Sequence, residues 1–177
     1  MAGYDYVLDE LKRIPEDLEE LLLSFQYYKH RDYKFNKIVF LGTGGGSRAS
    51  FDILNSYLFD KSPYPIFIHQ GYEIPNFVDK ETLVFSVSYS GDTEETISST
   101  IKAAERTKNL IIITKGGYLE KIALENNYPI FKLKEGYEAR HALHLIFFSI
   151  LKILSFYLNL QVDDEIKETI SILKKLR

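Results

Sequence analysis

The residues best equipped for chemistry lie together in Ser88-Tyr89-Ser90-Gly91-Asp92-Thr93, a run of hydroxyls broken by one glycine. Ahead of them is Leu83-Val84-Phe85-Ser86-Val87, a β-branched and aromatic stretch that fits a buried strand of a parallel sheet. Behind them, Glu94-Glu95-Thr96-Ile97 has the acidic first turn of a helix. A strand that enters such a loop and then a helix leaves amide N–H groups unpaired, and the helix dipole draws negative charge toward them. With hydroxyls completing the shell, the ligand implied is a phosphate monoester. Helix capping is the simpler explanation, and Asp92 or Thr93 would serve. It leaves Ser88 and Ser90 without a role. Glu94 and Glu95 carry the wrong charge for a phosphate neighbour, so they are expected to project away from the mouth as partners of the helix dipole.

A second loop has the same grammar. Lys37-Ile38-Val39-Phe40-Leu41 reads as a buried strand, Gly42-Thr43-Gly44-Gly45-Gly46-Ser47 follows, and Phe51, Leu54, Tyr57 and Leu58 resume at helical spacing. Glycines there let backbone amides approach a ligand without interference from Cβ. The dinucleotide fingerprint is not met, because Gly42 and Gly44 are followed by Ser47 where the third glycine belongs. Nor does the loop end in the Gly-Lys-Ser or Gly-Lys-Thr of a nucleotide P-loop. Alone the loop is weak and tight packing would explain it; its pairing with the Ser88 loop gives it weight.

Composition narrows the function classes. The chain has 177 residues, no cysteine and four histidines, so disulfide, thiolate and transition-metal chemistry are not expected. A net charge of −3 gives no global basic field, which argues against a nucleic-acid partner. The acidic, amphipathic start MAGYDYVLDELKR does not read as a signal peptide. Ala142 to Leu160, the most apolar segment, is interrupted by His144, Lys152 and Ser155, so no membrane partner is expected and the protein is read as cytoplasmic.

Strands and helices must alternate to position the two loops. Tyr4 to Arg31 reads as two helices, with Pro15 in the first turn of the second. This arm either packs on one face of the sheet or makes a dimer contact. Strands are expected at 37–41, 65–68, 83–87, 109–114 and 129–133, with NLIIIT at 109–114 the most apolar and so central. Helices are expected from about Asp92 to Arg106, burying Ile97, Ile101 and Ala104, then from Tyr118 to Glu125, Ala139 to Leu160 and Asp163 to Leu176. The alternation predicts a doubly wound α/β fold: a five-stranded parallel sheet flanked by helices, with ligands beyond the C-terminal strand ends. One domain is expected over 1–177, comprising an N-terminal helical arm (1–35), the α/β core (36–160) and a C-terminal helix (161–177).

Ser88 to Thr96, SYSGDTEET, closely resembles the SYSGNTEET motif of the sugar isomerase (SIS) domain, and within it the N-terminal domain of bifunctional phosphoglucose/phosphomannose isomerases. Gly42-Thr43-Gly44-Gly45 is similar to the family's GMGG loop, Tyr72-Glu73-Ile74-Pro75 to its Y-x-x-P turn, and Gly116-Gly117-Tyr118-Leu119 to its GGxL. Arg140 matches the arginine of its Pro-Arg motif, with Ala139 in place of the proline. The resemblance implies a three-layer, flavodoxin-like sandwich in which Ser88, Ser90 and Thr93 hold a sugar phosphate. Backbone at Gly44, Gly45 and Gly46 would meet the sugar, with Ser47 replacing the family's serine, which here is Gly46. Arg140 would stabilise an enediolate.

The implied reaction is aldose–ketose isomerisation of a hexose 6-phosphate, glucose or mannose 6-phosphate to fructose 6-phosphate, without a cofactor. Family members carry two such domains, and their catalytic Glu and His fall in or beyond the inter-domain region, which this chain is not expected to contain. The acid and base are then sought in Glu138, His141 and His144, spaced i, i+3 and i+6 along a helix start, with His69 beside the Tyr72 loop as a further candidate. His30 reads as surface. A homodimer with its site near the interface would let one subunit stand in for the absent domain. A phosphosugar-binding module without catalysis, or one half of a split isomerase, are the alternatives.

Overall fold

The computed structural model describes the backbone of residues 2–176 and the side chains of residues 6–176; Met1 and Arg177, the outer ends of the expected arm and terminal helix, lie outside the described residues. Parallel strands β1 (Lys37–Leu41), β2 (Ile66–His69), β3 (Thr82–Val87), β4 (Leu110–Thr114) and β5 (Ile130–Lys132) form one sheet in the order β2-β1-β3-β4-β5. Helices α1 (Ala2–Ser24), α2 (Gly45–Tyr57), α3 (Glu94–Arg106), α4 (Gly117–Glu125), α5 (Leu143–Leu158) and α6 (Asp163–Lys175) complete the α/β architecture read from the sequence.

Strand alternation divides the core in two. Ile38, Phe40, Leu83, Phe85, Ile111 and Ile113 point to the face covered by α1, α2 and α5, where Phe40 stacks on Phe51 with ring centroids 5.0 Å apart. Val39, Leu41, Val84, Leu110 and Ile112 point to the other face, against Ala103 of α3 and Leu119, Ile122 and Ala123 of α4. Every residue of β3 and β4 is buried, as strands covered on both sides require.

Four expectations need correction. The centre of the sheet is β3, not the 109–114 strand; β4 is its neighbour, and covered strands are equally apolar wherever they stand. The arm is one continuous helix, with Pro15 inside it. Proline removes one bond to the preceding turn and crowds that turn's carbonyl, a cost offset by the burial of Leu18 and Leu21 beyond it.

Helix α3 buries Thr96, Ser99, Thr100 and Ala103; Ile101 is exposed, and Ile97 and Ala104 only half-buried. Two of its buried hydroxyls are satisfied locally: Ser99 donates to the Thr96 carbonyl at 3.1 Å, and Thr100 bonds to the same carbonyl and to Ser86 Oγ, both at 2.5 Å, while the Thr96 hydroxyl has no partner among the described residues. Last, α5 begins at Leu143 rather than Ala139. Residues 138–142 form a tight turn in which the N–H groups of His141 and Ala142 both reach the Glu138 carbonyl.

Candidate functional site

From β1 the chain goes to β2 on one side of the sheet; β3 lies on the other side of β1 and leads on to β4. The crevice between the C-terminal ends of β1 and β3 is therefore the switch point, where sheets of this kind receive ligands. Both loops singled out from the sequence lie there.

In the first, the hydroxyls converge. Ser88 Oγ is 2.8 Å from Thr93 Oγ1 and 3.4 Å from Ser90 Oγ. The Gly91 and Asp92 amides donate to Ser88 Oγ and Ser90 Oγ at 3.1 and 3.3 Å, which fixes the curl of the loop. Thr93 is the N-cap residue of α3, yet its side chain caps nothing. The first amides of α3 thus meet no capping group, and they open beside the three hydroxyls. Asp92, the other expected cap, instead accepts from the Tyr118 amide at 2.9 Å, in the first turn of α4. Glu94 accepts from the Tyr72 hydroxyl at 3.4 Å, and the charge of Glu95, followed by partial desolvation and the charge of Glu94, pushes the Tyr72 phenol pKa up.

The second loop opens α2, again without a side-chain cap. A Cβ on Gly44 or Gly45 would meet nothing within 4 Å, so crowding within the protein does not explain glycine there. Gly46 differs: its Cβ would fall 2.3 Å from the Ala139 carbonyl, so packing dictates its type. Ser47 is buried and donates to the Val87 carbonyl at 3.3 Å, bracing α2 against the end of β3.

Residues 134–143 are held between the two loops. Tyr89 Oη donates to the Lys134 carbonyl at 3.0 Å and accepts from the Tyr137 amide at 3.1 Å. On the other side, Ala139 lies on Gly46, and Ser50 Oγ donates to the Leu143 carbonyl at 3.1 Å. Glu138, Arg140 and His141 ride on this segment and touch one another. Arg140 Nη2 lies 2.6 Å from Glu138 Oε2, and Arg140 Nε donates to His141 Nε2 at 3.3 Å. Bonding to Tyr6 and the charge of Glu138 raise the Arg140 pKa further, so its charge is permanent.

His144 is buried on α5, with Nε2 3.4 Å from Asp17 Oδ2 but in no good hydrogen bond, and burial lowers its pKa against the pull of Asp17. His69 is tied to the Glu73 carbonyl. His30 is not a plain surface residue: its ring stacks on Phe156 at 4.1 Å, and partial burial lowers its pKa.

Sequence reasoning missed what α1 contributes. Tyr6 donates to Glu138 Oε1 at 3.0 Å, Glu10 Oε2 lies 2.6 Å from His141 Nδ1, and Asp17 accepts from Tyr137 Oη. Glu10 and Asp17 are both buried, and Ile14 and Leu18 turn the same way to the core. Acids flanking the apolar stripe of a helix were the available signal. Lys115, also missed, places Nζ 5.3 Å over the Tyr89 ring at the serine loop.

A doubly wound sheet with hydroxyls and two uncapped helix starts at its switch point defines an α/β protein of the kind that holds phosphate esters. A family model described as the SIS domain matches residues 33–154, and the chain belongs to that family. It is 35% identical over 146 residues to a bifunctional phosphoglucose/phosphomannose isomerase of Caldicellulosiruptor bescii, a match spanning 80% of this chain and 42% of the relative. A D-glucosamine-6-phosphate 4-epimerase of Sulfolobus acidocaldarius is 37% identical over 120 residues, 67% of this chain and 37% of that one. Among solved structures, the tagatose-6-phosphate ketose/aldose isomerase of Escherichia coli superposes with a TM-score of 0.64 at 16% identity, covering 97% of this chain and 53% of the other. The chain thus spans under half the length of these curated relatives.

Proposed function

We propose that the protein binds a hexose 6-phosphate at the switch point and isomerises it between aldose and ketose, with glucose or mannose 6-phosphate on one side and fructose 6-phosphate on the other. One observation carries this reading: Ser88, Ser90 and Thr93 hydroxyls converge at the uncapped start of α3, beside the open backbone of Gly44 and Gly45. Three hydroxyls and a helix start match the oxygens and charge of a phosphoryl group. Ser47 and Gly46 shape the floor of the cradle.

The chemistry needs no co-reactant. A base removes the C2 proton of the open-chain aldose, and its electron pair becomes the C1=C2 double bond while the carbonyl oxygen takes the negative charge. A proton passes from the C2 hydroxyl to that oxygen, and the base returns its own proton to C1 as the C2 carbonyl forms. Arg140, permanently charged and 68% exposed at its side chain, is the group for the enediolate oxygen. Of the three candidate bases, His141 is the one we assign. Glu138 is engaged by Tyr6 and Arg140, and His144 is buried.

A homodimer with the site near its interface belongs to this proposal, supported by the exposed Leu8, Leu11 and Leu23 of α1 and Ile172 of α6. A single-chain mass in solution would remove that part. A second reading, phosphosugar binding without turnover, is favoured by the self-paired Glu138–Arg140 couple.

Conversion of fructose 6-phosphate to glucose 6-phosphate, followed by a coupled dehydrogenase assay, tests the reading. Thermal stabilisation by fructose 6-phosphate is followed alongside. Turnover that Arg140→Ala lowers at least tenfold is expected; stabilisation with no turnover supports the binding module instead. Combining Ser88→Ala with Ser90→Ala should abolish the stabilisation, and an undiminished shift in that double variant places the phosphate elsewhere.

A further inference from the structure

The isomerase reading leaves open what prepares His141 to act as a base, and helix α1 holds a group suited to that task. Glu10 Oε2 lies 2.6 Å from His141 Nδ1, with the two side chains only 10% and 22% exposed. On the other side of the ring, Arg140 Nε donates to Nε2 at 3.3 Å. A guanidinium cannot accept, so Nε2 carries the lone pair, and the ring proton sits on Nδ1 and is donated to Glu10. Partners on both sides therefore select one tautomer.

The surroundings are confined. A cavity of about 240 Å³ is lined by Glu10, Tyr137, Arg140, His141 and His144, with apolar walls from α1. Among the described residues, the charged or titratable groups around His141 are Glu10, Tyr6 and, farther along α1, Arg13 and Asp17; Arg140 and Glu138 of its own turn; Tyr137; and His144 of α5.

We propose that Glu10 is a positioning residue for the isomerisation: its carboxylate holds His141 with Nε2 unprotonated, as the base that carries the proton between C1 and C2. The proposal rests on the phosphosugar-isomerase reading above. In it, Arg140 releases Nε2 when it turns to the enediolate oxygen. The carboxylate then favours the imidazolium formed when Nε2 takes the C2 proton, and restores the starting tautomer after the proton is delivered to C1.

Three measurements on the full chain test this. In wild-type protein, the ¹⁵N shifts of His141 should show the Nδ1–H tautomer; an Nε2–H tautomer overturns the proposal. Glu10→Gln should bind fructose 6-phosphate within twofold of wild type while kcat falls at least about tenfold, part of the roughly 10²–10⁴-fold that a positioned base contributes. Glu10→Asp, which keeps the carboxylate, should recover part of kcat; a kcat no higher than that of Glu10→Gln marks a merely structural tie between α1 and the 138–142 turn and overturns the proposal. Normal turnover in Glu10→Gln defeats this proposal and leaves the isomerase reading standing. A wild-type protein that binds fructose 6-phosphate but never turns it over defeats both.

Discussion

Glycines of like appearance in the sequence have unlike reasons to be there, and substitution separates them. Gly44 and Gly45 face open space, and Gly44 has ordinary extended backbone at φ −65°. Alanine at either position should leave stability within about 0.5 kcal/mol of wild type, while weakening fructose 6-phosphate binding by crowding the approach. Gly46→Ala drives a methyl into the Ala139 carbonyl and should cost about 1–3 kcal/mol, the scale of overpacking in a well-filled interior. Gly91 has φ +83°, and a Cβ there would sit 1.8 Å from the Gly116 carbonyl, so Gly91→Ala should be the most damaging of the four. Urea midpoints for the four variants check the order. Equal loss in Gly44→Ala and Gly46→Ala would show that the open backbone at Gly44 has been misjudged. None of this was legible in a run of three glycines, because what each meets is supplied by a distant segment. The convergence of Ser88, Ser90 and Thr93 was legible, since a strand, a curl and a helix start place all three hydroxyls within a few ångströms of one another.

At the level of elements, the loops after β3 and β4 form one unit. Gly117 has φ +72°, with its Cβ position 2.5 Å from the Ser90 carbonyl, and Asp92 caps the Tyr118 amide across the same gap. Asp92→Ala should therefore destabilise the protein by about 1 kcal/mol, as loss of a helix cap does, and the loss should appear in α4. Hydrogen exchange checks this: faster exchange at Tyr118 and Leu119 is expected, with the interior of α3 unchanged, whereas loosening confined to α3 would return Asp92 to its own helix. Strand positions were readable because apolar runs between turn residues need only local information. The buried face of α3 was not. Its Thr96, Ser99 and Thr100 look solvent-facing by composition, yet all three are buried, and Ser99 and Thr100 satisfy their hydroxyls within the helix and against Ser86. The start of α5 was misplaced for a similar reason. The chain entering the 138–142 turn is tied to Tyr89 at Tyr137, and Ala139 within the turn packs on Gly46, partners that no local pattern reveals.

Across the whole molecule, α1 is joined to the segment leading into α5 by acids and histidines, and this makes stability depend on pH. His144 is almost fully buried, and desolvation holds its pKa below the usual value near 6.5, with Asp17 opposing only in part. His30 is lowered in the same direction. A depressed histidine binds fewer protons in the folded chain than in the unfolded one once the pH drops below the unfolded value. Stability is then fully present above about pH 6.5 and falls as the pH is lowered toward the folded pKa. For His144 the slope can reach about 1.4 kcal/mol per pH unit within that window. Urea unfolding at intervals from pH 7.5 to 5.5 should show this decline, before most carboxylates begin to titrate. His144→Gln, although less stable at pH 7.5, should lose stability less steeply over the same range. An identical slope in that variant would assign the acid sensitivity to other groups and leave the buried His144–Asp17 pair without a share in it.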